Sequence, residues 1–182
     1  MTLAFCIFRN KLYVATSTQS YAVELDNEQD VYKHLPAEKY DGVVTPGGPY
    51  PFTRMRIFIS TAYGYAQGYG IPCHLIKRFD FLGFVFPNYF LALETRRGDF
   101  FTYHQDLGEA IMSEQDVRKY AEKYKETFAS DADIFQDMSG QVTFNLAEKL
   151  LAYYPIAKAE EKILKEPYYM LTPEYKKTNR LS

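Results

Sequence analysis

Metal binding and proton transfer near neutral pH would fall first to histidine, and the chain has three, at positions 34, 74 and 104. They are 40 and 30 residues apart, with no H-x-x-x-H or HExxH pair to bring two imidazoles onto one helix face, so no metal site is expected. Cys6 and Cys73 form no CxxC pattern and read as two buried, reduced thiols. Gly47 and Gly48, ahead of a helix-like segment, are placed where backbone N–H groups could meet a phosphate. The GK[ST] ending is missing, however, and Pro49, Tyr50 and Pro51 remove donors or add bulk, which favours a structural turn. Glu94 and Asp99 are close enough for acid–base work, but they alternate with Arg96 and Arg97 and have no nucleophile nearby, so a salt-bridged hairpin surface is expected. The residues give no catalytic constellation, no metal and no cofactor.

The element that would position the glycine loop is the segment after it. Gly42-Val43-Val44 reads as a short buried strand, the Pro/Gly cluster forces a loop, and a helix starts at Pro51 or at Thr53 and ends near Gly70-Ile71-Pro72. Phe52, Met55, Ile59, Tyr63 and Ala66 recur at steps of three and four along one face, and Ser60, Gly64 and Gly68 form a second, small-residue stripe. Two interior glycines each weaken a helix by roughly 1 kcal/mol against alanine, which makes sense if something packs closely on the stripe. That is either the chain's own sheet or a partner's helix. Arg54 and Arg56 follow the loop and read either as solvated ion pairs or as interface residues. The candidate contact surface is therefore Phe52, Arg54, Met55, Arg56, Ile59, Ser60, Tyr63, Gly64, Gln67 and Gly68, entered through Gly47, Gly48, Pro49 and Thr53.

The rest of the chain reads as a mixed α/β protein in two lobes. Leu3–Phe8, Lys11–Thr16 and Ser20–Leu25 are a three-stranded meander, and residues 42 to 76 form a β-α-β unit with parallel pairing. Arg78–Phe86 is a short helix, and Tyr89–Arg96 with Asp99–Gln105 a hairpin. A strand at Glu109–Met112, a helix capped by Ser113, helical spacing over Phe144–Tyr154, a last helix over Ala157–Lys165 and an extended tail complete the pattern. The expected division is a first lobe over 1–78, a second over 79–154, and a tail from 155 to 182 packing back on the first. The tail's Lys176, Lys177 and Arg180 read as a solvated terminus. A net charge of −2 argues against holding nucleic acid by bulk positive charge. The most apolar helix candidate is too short and polar to span a bilayer, and the amino terminus lacks the pattern of a secretory signal, so a cytoplasmic, non-membrane protein is expected.

The stretch Gly48-Pro49-Tyr50-Pro51-Phe52-Thr53-Arg54-Met55-Arg56-Ile57 resembles the G-P-G-S-F-T-G-L-R-I motif of TsaB, a bacterial threonylcarbamoyladenosine biosynthesis family related to the glycoproteases. Ala62, Ala66 and Gly68 with Gly70-Ile71-Pro72 resemble that family's helix and its exit, Leu91–Phe101 resembles its I-D-A-R-x-G-E-V-Y hairpin, and Pro167-Tyr168-Tyr169-Met170 its terminal P-L-Y-L-R. The resemblance implies an actin-like, ribonuclease-H-like fold and a noncatalytic scaffold that pairs with the catalytic TsaD. The ATPase TsaE joins them, and tRNA is met only through the complex. A homodimer through the 52–70 helix is the other arrangement. The sequence departs from the family where Ile7-Phe8-Arg9-Asn10 replace its I-D-T-[AS] loop, where Tyr50, Pro51 and Arg54 replace motif residues, and where most of the long first helix is missing between Leu25 and Asp41. Two other readings stand beside the scaffold: a glycoprotease-family ATPase or peptidase, and a diverged binding protein outside the pathway.

Overall fold

The structure, a computed structural model, describes residues 1–95, 98–140 and 142–170. Strands β1 (Thr2–Phe8), β2 (Lys11–Ala15) and β3 (Ser20–Glu24) form the antiparallel meander. A 3-10 turn over Glu28–His34, capped by the Asn27 side chain on Gln29 N–H, leads into β4 (Gly42–Pro46). Helix α1 (Phe52–Tyr69) and strand β5 (Cys73–Ile76) complete a β-α-β unit in which β4 pairs in parallel with both β1 and β5. α1 stops because Gly70 takes a left-handed conformation at φ 64° and its N–H turns back to the Gln67 carbonyl.

After α2 (Arg78–Val85) a second sheet is built from β6 (Phe90–Glu94), β7 (Asp99–His104) and β8 (Gly108–Ser113). Helix α3 (Glu114–Lys123), capped by Ser113 Oγ on Asp116 N–H at 3.2 Å, carries the chain back to β9 (Phe128–Ser130), parallel to β6. Helix α4 (Leu146–Ala159) and the two-residue β10 (Ile163–Leu164) return to the first sheet. The strand orders are β10-β5-β4-β1-β2-β3 and β8-β7-β6-β9.

Alternation along the strands sets the layers. On β1, Leu3, Phe5 and Ile7 face α1, where Met55, Phe58, Ile59, Ala62 and Ala66 close an outer core. Its intervening residues Ala4, Cys6 and Phe8 face the other way, onto α2 and α4. The second sheet does the same: Leu91 and Leu93 meet that central core, while Phe90 and Ala92 turn outward to Val117 and Ala121 of α3. Burying each of Met55, Phe58 and Ile59 contributes about 1.5–3 kcal/mol, which offsets the poor helix propensity of two glycines in α1.

One sequence expectation differs here. The helix expected over 157–165 does not form, because α4 runs unbroken through Pro155 to Ala159. Pro155 itself lies on the exposed side of α4. α4 packs on β1, β2 and β4, and Asn145 Nδ2 donates to the carbonyls of Val14 and Tyr21. The tail continues there: β10 pairs with β5, and Tyr168 N–H donates to Gly47 O at 2.8 Å. Arg96, Arg97 and the tail basics Lys176, Lys177 and Arg180 lie outside the described residues.

Candidate functional site

The loop between β4 and α1 shows what it can hold by the direction of its peptide groups. A phosphate cradle needs N–H groups aimed at a common point. Here the carbonyls are the groups in use: Gly47 O accepts from Tyr168 N–H, Gly48 O from Arg78 N–H at 2.5 Å, and Pro49 O from Arg78 Nη1 at 3.3 Å. The Gly47 N–H is committed to Ile76 O at 2.7 Å, and Pro49 and Pro51 have none. The loop therefore binds donors. Gly48 is required twice over, by its φ of 117° and because a side chain there would run into the Tyr168 backbone and the Met55 Sδ.

The donor it holds is Arg78, 1% exposed at the first position of α2. Its Nη2 donates to Asp131 Oδ2 at 2.7 Å and to Ile7 O at 3.3 Å, and its guanidinium lies 4.1 Å from the centre of the Tyr50 ring. Asp131, which follows β9, accepts from Glu94 N–H at 2.7 Å through its other oxygen. The ion pair thus joins β1, the glycine loop and α2 to the second sheet. Burial opposes the charge on Arg78, but Asp131 more than offsets it and the guanidinium is held more firmly protonated than usual. Burial likewise pushes up the Cys6 thiol and the Tyr50 hydroxyl, with Arg78 pulling the other way in each case. Cys6 is an inert thiol, and Cys73, half-buried and also free, is raised by burial to about 12. Apart from the Tyr50 hydroxyl, which is buried without a hydrogen-bond partner, the polar groups around Arg78 are occupied with one another, which suits a structural seam better than a reaction centre.

The sequence-derived contact surface divides in two. Met55 and Ile59, at 1% and 7% exposed, are part of the chain's own core and are corrected to that role, because their step along α1 faces β1. Phe52, Thr53, Arg56, Ser60, Tyr63, Gly64, Gln67 and Gly68 are exposed, and Arg54 is half-buried. A Cβ added at Gly64 or Gly68 would meet nothing within 4 Å, so the chain's own sheet does not pack on the small-residue stripe. Beside Gly64, the rings of Tyr65 and Tyr69, with Leu35 and Pro36 from the 3-10 turn's exit, bound an apolar groove of about 350 Å³. At the start of the helix Phe52 packs near Tyr169 with ring centres 6.0 Å apart, and the Arg56 guanidinium sits 5.6 Å over the Phe52 ring.

Among the described residues no group of three His, Cys, Asp or Glu side chains could hold a metal ion, and no helix is long and apolar enough to cross a membrane. Sequence reasoning missed Arg78, Asp131 and Tyr50. The signal available was the cluster of charges Lys77, Arg78 and Asp80 inside the otherwise apolar run from Leu75 to Phe86, which does not say which of them turns inward.

Two mixed sheets, the first led by an antiparallel meander and completed by a β-α-β unit, packed around a shared helical layer, define the actin-like, ribonuclease-H-like fold. Among solved structures the chain is similar to YeaZ from Pseudomonas aeruginosa, with a TM-score of 0.61 and 15% identity over 92% of this chain and 99% of that one. It is also similar to an uncharacterized protein described as having similarity to peptidase YeaZ from Pseudomonas aeruginosa, with a TM-score of 0.56 and 13% identity over 93% of this chain and 99% of that one. At these identities the likeness establishes the fold. No protein-family model matches the sequence, and no curated protein does.

Proposed function

We propose that this protein is a noncatalytic scaffold of the TsaB kind, which pairs with a TsaD-like catalytic subunit, with a TsaE-like ATPase joining, in a cytoplasmic tRNA threonylcarbamoyladenosine machinery. The observation that carries the reading is the outward face of α1, where Gly64 and Gly68 lie open, Tyr63 is exposed, and an apolar groove runs beside Gly64. Glycines at such positions cost helix stability and are explained by a partner backbone that approaches closely. The same face could instead join two copies of the chain, as a homodimer through the 52–70 helix. The ATPase reading is opposed by the glycine loop, whose carbonyls point at donors and would repel phosphate.

Co-expression with the TsaD-like subunit of the same organism, followed by a pull-down, tests the proposal. Capture of that subunit, weakened by Gly64→Arg, is the expected result. Failure to form the complex under conditions where a standard TsaB forms one overturns it. Binding of ATP seen by calorimetry would restore the enzyme reading.

A further inference from the structure

The carboxyl-terminal tail is fixed at one residue and exposes the next. Tyr168 N–H donates to Gly47 O at 2.8 Å, the Tyr168 hydroxyl donates to Glu109 Oε2 at 2.6 Å, and the Lys77 ammonium, which pairs with Glu109, lies 4.3 Å from the centre of the Tyr168 ring. Gly48 leaves room for this seat, since a Cβ there would overlap the Tyr168 carbonyl. Tyr169 takes no part in it. Its ring is 43% exposed and lies 6.0 Å from that of Phe52, which is 39% exposed, and the Arg56 guanidinium lies 5.6 Å from the centre of the Phe52 ring. Phe52, Arg56 and the exposed Tyr63, at steps of four and seven, fall on one row of α1. The glycine loop thus brings a tyrosine from the far end of the chain to the start of that row.

The contacts at Tyr168 order the tail, yet the aromatic surface they place beside α1 is left in water. Tyrosine and arginine gathered at an aromatic centre are the residues that carry most of the energy in protein–protein binding. Charge narrows the partner's chemistry. α1 has Arg54 and Arg56 and no acidic residue, and among the described residues no carboxylate pairs with Arg56. A carboxylate flanked by apolar side chains matches the patch, because it meets the guanidinium fork while its neighbours cover the Phe52 and Tyr169 rings. RNA matches less well, since the chain's net charge is −2 and Arg54 is half-buried. We infer that the tail completes the docking surface of α1: Tyr169, with Phe52 and Arg56, forms a pad that receives a carboxylate-bearing, apolar-flanked segment of the catalytic partner. This rests on the scaffold reading, to which it adds a second stretch of chain and the chemistry of the partner's contact.

The test measures the affinity of the full chain for the TsaD-like subunit of the same organism by calorimetry at several salt concentrations. Tyr169→Ser is expected to weaken binding about tenfold or more with Tm unchanged, since the ring is exposed in the free chain, while Tyr169→Phe binds like the parent. Arg56→Glu should weaken binding at least as much and lessen its dependence on salt. If the parent and these variants bind alike while Gly64→Arg does not bind, the scaffold reading stands and the pad is overturned. Two other outcomes overturn it as well: Tyr169→Ser breaking up a homodimer while leaving partner affinity unchanged, or the free chain binding tRNA in a way that Arg56→Glu abolishes. If the parent does not bind at all, the scaffold reading fails and the pad fails with it.

Discussion

Arg78 is placed where an unpaired charge would be least tolerated, with Ile7 O, Pro49 O and the Asp131 carboxylate as its acceptors and the Tyr50 ring against its face. Removing one member of such a pair leaves the other charged and dry. Asp131→Ala is therefore expected to lower stability by about 3–5 kcal/mol, read as a lower urea midpoint with an unchanged slope. Arg78→Met combined with Asp131→Ala should recover a large part of that loss, since no buried charge remains. A loss below about 1 kcal/mol for Asp131→Ala would mean that water reaches the pair and that it does not join the sheets. At this scale little could be read from sequence. Lys77 and Arg78 are neighbours of the same charge, yet Lys77 reaches Glu109 and the Tyr168 ring at the surface while Arg78 turns inward. Asp131, 53 residues from Arg78, lies in an unremarkable Ala-Ser-Asp-Ala stretch, and no periodicity links the two.

Helix α1 has opposite demands on its two sides. Met55, Phe58 and Ala62 need close packing on β1 and β4, while a side chain added at Gly64 or Gly68 would meet no atom within 4 Å. Gly64→Ala should accordingly raise stability by about 0.5–1 kcal/mol in chemical denaturation, since the helix gains propensity and the added methyl meets no neighbour. A destabilised variant would show that the stripe already packs against something in the free protein. The meander, the β-α-β unit and the β6–β7 hairpin were legible because each is a run of apolar or alternating residues closed by a turn signal. Helical spacing over Phe144–Tyr154 made most of α4 legible as well, but not its continuation to Ala159, where the packing of Tyr153 and Ala157 on the central core carries the helix past Pro155. β9 was missed for a different reason: three residues are too few to show a period, and its strand character comes from pairing with β6.

On the scale of the molecule, the two sheets share one core. Ala4, Cys6 and Phe8 from one and Leu91, Leu93 and Phe101 from the other meet the same side chains of α2 and α4. The two-lobed α/β class was legible from the order of elements, but the packing of α4 on β1, β2 and β4 was not, since a helix late in sequence meets an early sheet through contacts that local pattern does not record. The return of the tail has a further effect. β5 would be the outer strand of its sheet, with Leu75 and Ile76 beside a row of open peptide groups, and β10 lies along that row with Ile163 opposite Ile76 and Leu164 opposite Leu75. Two residues are too few to add much to folding, yet they are enough to deny the edge to another chain. A protein cut after Glu160 should retain most of its secondary structure by circular dichroism and yet self-associate with concentration, as seen by light scattering; a truncated chain that stays monodisperse would contradict this. The short strand then governs solubility, and it ties the chain's resistance to aggregation to the same tail that seats Tyr168 on Gly47.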